Sequence, residues 1–216
     1  MIIDHTHPQY IKKWQDAGVN RFNGAYYYSR EIVERIIPAV DTDRNWITIN
    51  IKGVGCHNAI VFIHNNIRPE CYDWMRYYGY KNLICVCGIP ETCEKVADIG
   101  TPIYLPLSID VEYVKRFAVE EKTKDAAFVG RPNKKKYGKL PDGIDYLEGL
   151  PREELLKSMA EYKNIYAVGR CALEAKALGC RVKAYDNRFP KVSMWKVMDN
   201  LEAAKILQKE LNRIDG

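Results

Sequence analysis

One stretch of the chain combines residue types that suit the binding of an anionic ligand. An apolar run at residues 126–129 is followed by Gly130 and Arg131, and three consecutive lysines end at Lys136. This pattern predicts a β-strand that places positive charge at its carboxyl end, where open α/β sheets bind ligands. Arginine binds phosphate through paired, charge-assisted hydrogen bonds. The alternative interpretation is a solvent-exposed basic loop.

A second glycine turn follows further along the chain. The apolar residues before Gly169 predict a strand, and a helical pattern then runs from Arg170 to a stop at Gly179. Backbone N–H groups at the start of a helix form an anion-binding site. The residues from Gly169 to Cys171 are therefore predicted to lie against phosphate.

The elements that position these turns alternate between strands and helices. Predicted strands cover residues 46–51, 60–63, 83–86, 102–105, 127–129, 144–147 and 182–185. Predicted helices cover residues 23–38, 69–78, 90–99, 111–119, a segment starting at 150, and 191–214. Strands that alternate with helices at this pitch predict parallel sheets in an α/β fold, and the most apolar strands are expected to be covered on both faces.

Composition is that of an ordinary soluble protein. The 216 residues allow one large domain or two small ones, with 47% hydrophobic and 28% charged residues. No apolar run approaches the roughly 20 residues that span a bilayer, and no signal-peptide pattern is seen, so a cytoplasmic location is expected. The net charge of +5 suits an anionic small ligand without excluding nucleic acid. The seven cysteines, several within apolar runs, are predicted to be reduced core thiols.

Taken together, the two turns resemble the sugar-nucleotide half of the GT-B glycosyltransferases, especially the retaining ones. Phe128-Val129-Gly130-Arg131 with Lys136 resembles their phosphate-binding strand and loop, and residues 172–182 resemble their LEA-A-G-PV helix and strand. The resemblance implies that a nucleotide sugar is the donor and that neither a metal nor another cofactor is required. The donor's diphosphate would contact Gly130, Arg131, Lys136, Gly169 and Arg170. Glu174 would bind its ribose as a surface carboxylate in the cleft, because paired carboxylate oxygens suit a vicinal diol, so that its loss should weaken binding without unfolding the chain. An exposed helix glutamate with no ligand is the alternative.

The resemblance extends into the first half of the chain. Asn23-Gly24 before a helix, a strand that ends at His64-Asn65, and a link at residues 105–110 follow the family's order. It implies that Asn23, Gly24 and Asn65 lie on the acceptor side of the site and that His64 lies near the reacting sugar. The alternative for His64 is a structural role in which its side chain forms hydrogen bonds.

The implied architecture is two small Rossmann-like halves whose parallel sheets face a cleft. Residues 1–107 would form the acceptor-side domain and residues 108–190 the nucleotide-sugar domain. The C-terminal helix, within residues 191–216, would pack back onto the first domain, or alternatively onto its own.

The sequence also departs from the family's pattern. The family's first motif glutamate lies eight positions before the second, and Tyr166 stands there in this chain. Transfer of a sugar from a nucleotide sugar to an unknown acceptor is the expected function. The missing glutamate leaves non-catalytic nucleotide binding as an alternative, and modification of a nucleic-acid base is a third possibility that the positive charge permits.

Overall fold

The structure, a computed structural model, describes residues 2–3, 24–48, 57–63, 76–77, 79–130, 137–189 and 191–216. The chain divides into two compact units, one made of Met1–Pro106 with Asn200–Gly216 and the other of Leu107–Asp199. Each unit contains its own parallel β-sheet, so the protein has an α/β fold, as the sequence predicts. Within the described ranges, no helix has the length and apolar character needed to cross a membrane.

The regular elements alternate along the chain. The strands are β1 Ile2–Ile3, β2 Asn45–Ile47, β3 Ala59–Ile63, β4 Leu83–Cys87, β5 Thr101–Tyr104, β6 Lys124–Val129, β7 Asp145–Leu147, β8 Tyr162–Tyr166 and β9 Arg181–Lys183. The α-helices are α1 Gly24–Glu31, α2 Pro90–Val96, α3 Val111–Lys115, α4 Arg152–Ala160, α5 Arg170–Ala177 and α6 Asn200–Asp215.

The sheet of the first unit has five strands in the order β1-β2-β3-β4-β5, with every neighbouring pair parallel. All residues of β3 and β4 are buried, as their continuous apolar character predicts. On one face, alternate residues of these strands pack with Val96 of α2. On the other, the ring of Trp46 stacks on that of Phe62 at 6.2 Å.

Helix α1 continues into two irregular turns that the sequence does not predict. A π-helical turn, Ile32–Ile36, and a 3-10 turn, Ile37–Ala39, follow it, and Ile37 N donates to Ile32 O. Pro38 explains the change, because it lacks an N–H group and its ring would clash with the carbonyl four residues earlier in an α-helix.

The C-terminal helix α6 belongs to the first unit. One face of the helix is buried, at Ala203, Ala204, Leu207 and Leu211. Three polar contacts tie it to residues of the first segment: Asn200 Nδ2 donates to Glu31 Oε2 (2.9 Å), Asp41 N to Gln208 Oε1 (2.6 Å), and Arg44 Nη2 to Asp215 Oδ1 (2.7 Å). The predicted start at residue 191 is wrong, because the helix begins at Asn200 and a 3-10 turn, Val192–Met194, precedes it.

The sheet of the second unit has four parallel strands in the order β7-β6-β8-β9. The predicted buried strand at 127–129 is confirmed, since these residues of β6 are buried. The prediction of a fully buried strand at 182–185 is wrong. Strand β9 is Arg181–Lys183, and Val182 is its one buried residue. Among the described strands, β9 lies at the sheet edge and pairs with β8 alone.

Lys122 holds two helix ends together in the second unit. Its amino group donates to Ala160 O, the last residue of α4 (2.8 Å), and to Leu178 O, directly after α5 (2.9 Å). The last carbonyls of a helix have no hydrogen-bond partner within the helix and carry partial negative charge. The amino group of Lys122 donates hydrogen bonds to these carbonyls and its positive charge offsets their partial charge.

Among the described residues, the cysteines form no disulfide bonds. Cys85, Cys87 and Cys180 are buried, whereas Cys93 and Cys171 are half-buried. Burial raises the pKa of the Cys85 thiol to about 12, which keeps it protonated at neutral pH.

Candidate functional site

The order of strands in the second unit contains a reversal. The chain goes from β6 to β7 on one side, and then crosses to β8 on the other side of β6. Ligands of open α/β sheets bind at such a point, in the crevice beyond the carboxyl ends of the strands. The described strands of the first sheet follow one another in sequence order and offer no such reversal. The carboxyl ends of β6 and β8 are therefore the candidate site.

Gly169 forms the turn between β8 and α5 at this point. Its φ of 63° and ψ of −137° lie in a region that side chains other than glycine rarely adopt. No atom lies within 4 Å of the place that a Cβ would occupy, so this side of the backbone is open. A ligand can therefore approach the main chain closely.

Helix α5 begins directly after this turn. Its first hydrogen bonds are donated to Gly169 O by Ala172 N (3.0 Å) and Leu173 N (3.2 Å). The N–H groups of Arg170 and Cys171 belong to the first turn, where the helix itself offers no carbonyl acceptor. This is the geometry that binds anions at helix starts.

Three charged side chains cluster behind the start of α5. Arg152 Nη1, on the first residue of α4, and Arg170 Nε both donate to Glu174 Oε1, at 2.6 and 2.7 Å. The Glu174 side chain is 2% exposed and that of Arg170 is 4% exposed. The guanidinium of Arg152 also lies 5.6 Å from the ring centroid of Tyr113. The cluster joins the starts of two helices.

The expectation that Glu174 is a surface carboxylate is therefore wrong. Helical periodicity places Glu174 one turn after Arg170. It does not reveal that Arg152, in another helix, forms an ion pair with the same Glu174 oxygen. Two cations stabilise the carboxylate in place of water. The ribose-binding role of Glu174 remains a prediction, and it would require these contacts to rearrange.

The chain after β9 is fixed to the segment that precedes β7. Asp186, 1% exposed, accepts two side-chain hydrogen bonds from Arg188, at 2.9 and 2.6 Å. The Arg188 guanidinium lies 3.4 Å from the centroid of the Tyr137 ring, and Asn187 N donates to Tyr137 O (2.9 Å). The sequence does not predict this contact, because Tyr137 and Arg188 are far apart in the chain.

Gly138 lies at the closest approach between these two segments. A Cβ at this position would lie 1.3 Å from Tyr185 O, a backbone atom that has no freedom to rotate away. We expect Gly138→Ala to lower the free energy of unfolding by about 1–3 kcal/mol, since such overpacking forces the backbones apart. Lys139→Ala, at the exposed next residue, should change it by no more than about 0.5 kcal/mol. Chemical denaturation of both variants tests this expectation, and equal stabilities would contradict it.

The structure covers half of the residues predicted for the site. Gly169, Arg170 and Glu174 lie together at the start of α5, and Gly130 directly follows β6, which pairs with β8 through Phe128 and Tyr166. Gly24 is the first residue of α1 in the first unit. The remaining predicted residues lie outside the described ranges: Asn23, His64, Asn65, Arg131 and Lys136.

No protein-family model matches the sequence, and a search of curated proteins also finds no match. The resemblance to GT-B glycosyltransferases therefore depends on the motif residues named above.

Proposed function

We propose that this protein binds a nucleotide sugar at the second unit and transfers the sugar to an acceptor. The observation that carries the proposal is the start of α5, which lies at the reversal of strand order behind the open backbone of Gly169. Helix starts of this kind bind phosphate, and the reversal is where α/β sheets bind nucleotides. The proposal includes the GT-B arrangement, in which the sheets of two Rossmann-like halves face a cleft.

The donor's diphosphate is proposed to lie against the first-turn N–H groups of α5 and against Gly130. Arg131 and Lys136, which follow Gly130 in the sequence, would supply positive charge. During transfer, the bond between the anomeric carbon and the phosphate oxygen breaks and its electrons pass to the leaving diphosphate. The acceptor's nucleophilic atom forms a new bond to the anomeric carbon and releases its proton to water. Fixed backbone dipoles and cations stabilise that developing charge without needing to reorient.

A second candidate is nucleotide binding without turnover. Two observations favour it: Tyr166 occupies the position of the first motif glutamate, and Glu174 is held in buried ion pairs. Incubation with nucleotide sugars distinguishes the two candidates, because only a transferase or a slow hydrolase releases a free nucleoside diphosphate. Modification of a nucleic-acid base has no structural observation in its favour.

Gly169→Ala tests the proposed site directly. A methyl group there would enter the open space over the turn, so we expect affinity for UDP, GDP or ADP to fall about 10-fold or more, equivalent to about 1.4 kcal/mol. Isothermal titration calorimetry measures this change. Gly143→Ala is the matched control, because Gly143 also has a positive φ (74°) and no atom within 4 Å of its Cβ position.

An alanine at either positive φ costs about 1–3 kcal/mol of backbone strain, so the stability of each variant is measured beside its affinity. Only the change at Gly169 is expected to weaken binding. If wild-type protein binds none of the three diphosphates at millimolar concentration, the proposed function is wrong. If both variants bind as wild type does, the ligand does not lie at the start of α5.

A further inference from the structure

Tyr146, in the middle of β7, is an exposed aromatic residue beside the candidate site. It is 50% exposed, and among the described residues of the second unit it is the one aromatic residue that is exposed rather than buried or half-buried. Single exposed apolar residues are ordinary on protein surfaces, so exposure alone carries no argument. The position of the Tyr146 ring relative to the proposed phosphate site does.

Tyr146 lies next to Phe128 on the same face of the sheet. The two residues are direct partners in the parallel pairing of β7 with β6, and their ring centroids are 5.9 Å apart. The buried Phe128 ring in turn lies under Gly130, where a Cβ would be 2.9 Å from Phe128 Cζ. A single ring therefore separates the exposed Tyr146 side chain from Gly130, which is proposed to contact phosphate.

The start of α5 also lies within reach of a nucleotide that contacts Tyr146. Strands β7 and β8 are the two neighbours of β6. Neighbouring strands are spaced so that the axes of β7 and β8 lie about 10 Å apart. Gly169 follows shortly after Tyr166, the last residue of β8. The ribose and phosphates of an extended nucleoside diphosphate span a comparable distance, so one ligand can contact both places.

The packing around Phe128 indicates the direction in which the base would extend. Tyr185 follows β9, at the other edge of the described sheet; it is buried, and its ring meets the Phe128 ring edge to face at 5.1 Å. The backbone of Gly138 packs closely against Tyr185 O. Protein therefore fills that side of Phe128, whereas the β7 side ends in the exposed ring of Tyr146.

We propose that the exposed ring of Tyr146 stacks on the base of the nucleotide whose phosphates bind at Gly130 and the start of α5. This inference rests on the proposed function and assigns the base-binding part of that site. Stacking on an aromatic side chain tolerates any base, because every base has a π face. The contact strengthens the binding of UDP, GDP and ADP alike and contributes nothing to the binding of a diphosphate that carries no base.

Two substitutions and inorganic pyrophosphate separate the base contact from the phosphate contacts. Tyr146→Ala removes the ring, so the affinity for the nucleoside diphosphates that wild type binds should fall about 10-fold, equivalent to about 1.4 kcal/mol. Its affinity for inorganic pyrophosphate should equal that of wild type. Tyr146→Phe keeps the ring and should bind the nucleotides as wild type does. Isothermal titration calorimetry with UDP, GDP, ADP and pyrophosphate measures these affinities.

Tyr104→Ala is the matched control. Tyr104 is also an exposed tyrosine, at 45%, and it also lies in an edge strand of a described sheet, β5 of the first unit. Its replacement should leave the nucleotide affinity unchanged. Thermal unfolding without ligand verifies that each variant is folded. If Tyr146→Ala does not fold, Tyr146→Leu takes its place, because leucine keeps an apolar contact with Phe128 and has no π face.

The other outcomes are equally decisive. If the variant without the ring binds nucleotides as wild type does, the inference is wrong while the proposed function stands. The inference is also overturned if Tyr146→Phe binds as weakly as that variant, since the hydroxyl would then make the contact, or if pyrophosphate affinity falls equally, since the residue would then act on the phosphates. If wild type binds no nucleoside diphosphate, the inference and the proposed function fail together.

Discussion

Glu174→Ala is expected to lower the free energy of unfolding by about 3–5 kcal/mol, because it leaves buried guanidinium groups without their carboxylate. Arg152 and Arg170 donate to the same oxygen of Glu174, and all three side chains are nearly inaccessible to water. Glu174→Gln keeps an acceptor oxygen but loses the charge, so its effect should be smaller. Equilibrium denaturation of the two variants measures this order.

Glu120→Ala is the matched control, because Glu120 is an exposed carboxylate in the same unit. It should change the free energy of unfolding by no more than about 0.5 kcal/mol. The sequence alone predicts the reverse for Glu174, namely a loss of ligand affinity in a chain that remains folded. A Glu174→Ala protein with wild-type stability would contradict the buried ion pairs of Glu174. It would favour the interpretation of Glu174 as a surface carboxylate that binds a ligand.

Leu207→Ala is expected to destabilise the first unit by about 2–5 kcal/mol. Leu207 is fully buried on the inner face of α6, so the shorter side chain leaves a cavity in addition to the lost apolar contact. Hydrogen-exchange mass spectrometry is the suitable measurement, because it reports the protection of β3 and β4 separately from that of β6 and β8.

Leu201→Ala provides the comparison within the same helix. Leu201 is 54% exposed, so its replacement should change stability by no more than about 0.5 kcal/mol. Both substitutions place alanine in the same helix, and helix propensity therefore affects them alike. If both variants lost the same amount of hydrogen-exchange protection in β3 and β4, the conclusion that α6 packs through its Leu207 face would be wrong.

The fold class could be predicted because its signals are local. Continuous apolar runs identify β3, β4 and the end of β6, and these strands are parallel and buried. The order of strands has no such signal, since it depends on where each connection crosses the sheet. The sequential order of the first sheet and the reversal in the second were therefore learned only from the structure.

The candidate site could be predicted only in part, because some of its contacts join residues that are close in the sequence and others do not. The turn at Gly169 and the helix after it follow from adjacent residues. The pairing of Arg170 with Glu174 is a contact between residues one helical turn apart, which sequence spacing can indicate. Arg152 is 22 positions from Glu174, so its contact with the same carboxylate oxygen depends on the tertiary fold.

The division of the first unit between the two ends of the chain has a consequence for biosynthesis. Arg44 and Asp215, which form an ion pair in that unit, are 171 positions apart. The second unit is a continuous segment, so all of it is synthesised before α6. The strands of the first unit are made before the second unit, whereas the helix that covers them is made after it. The surface that receives α6 is therefore uncovered while the second unit is being synthesised.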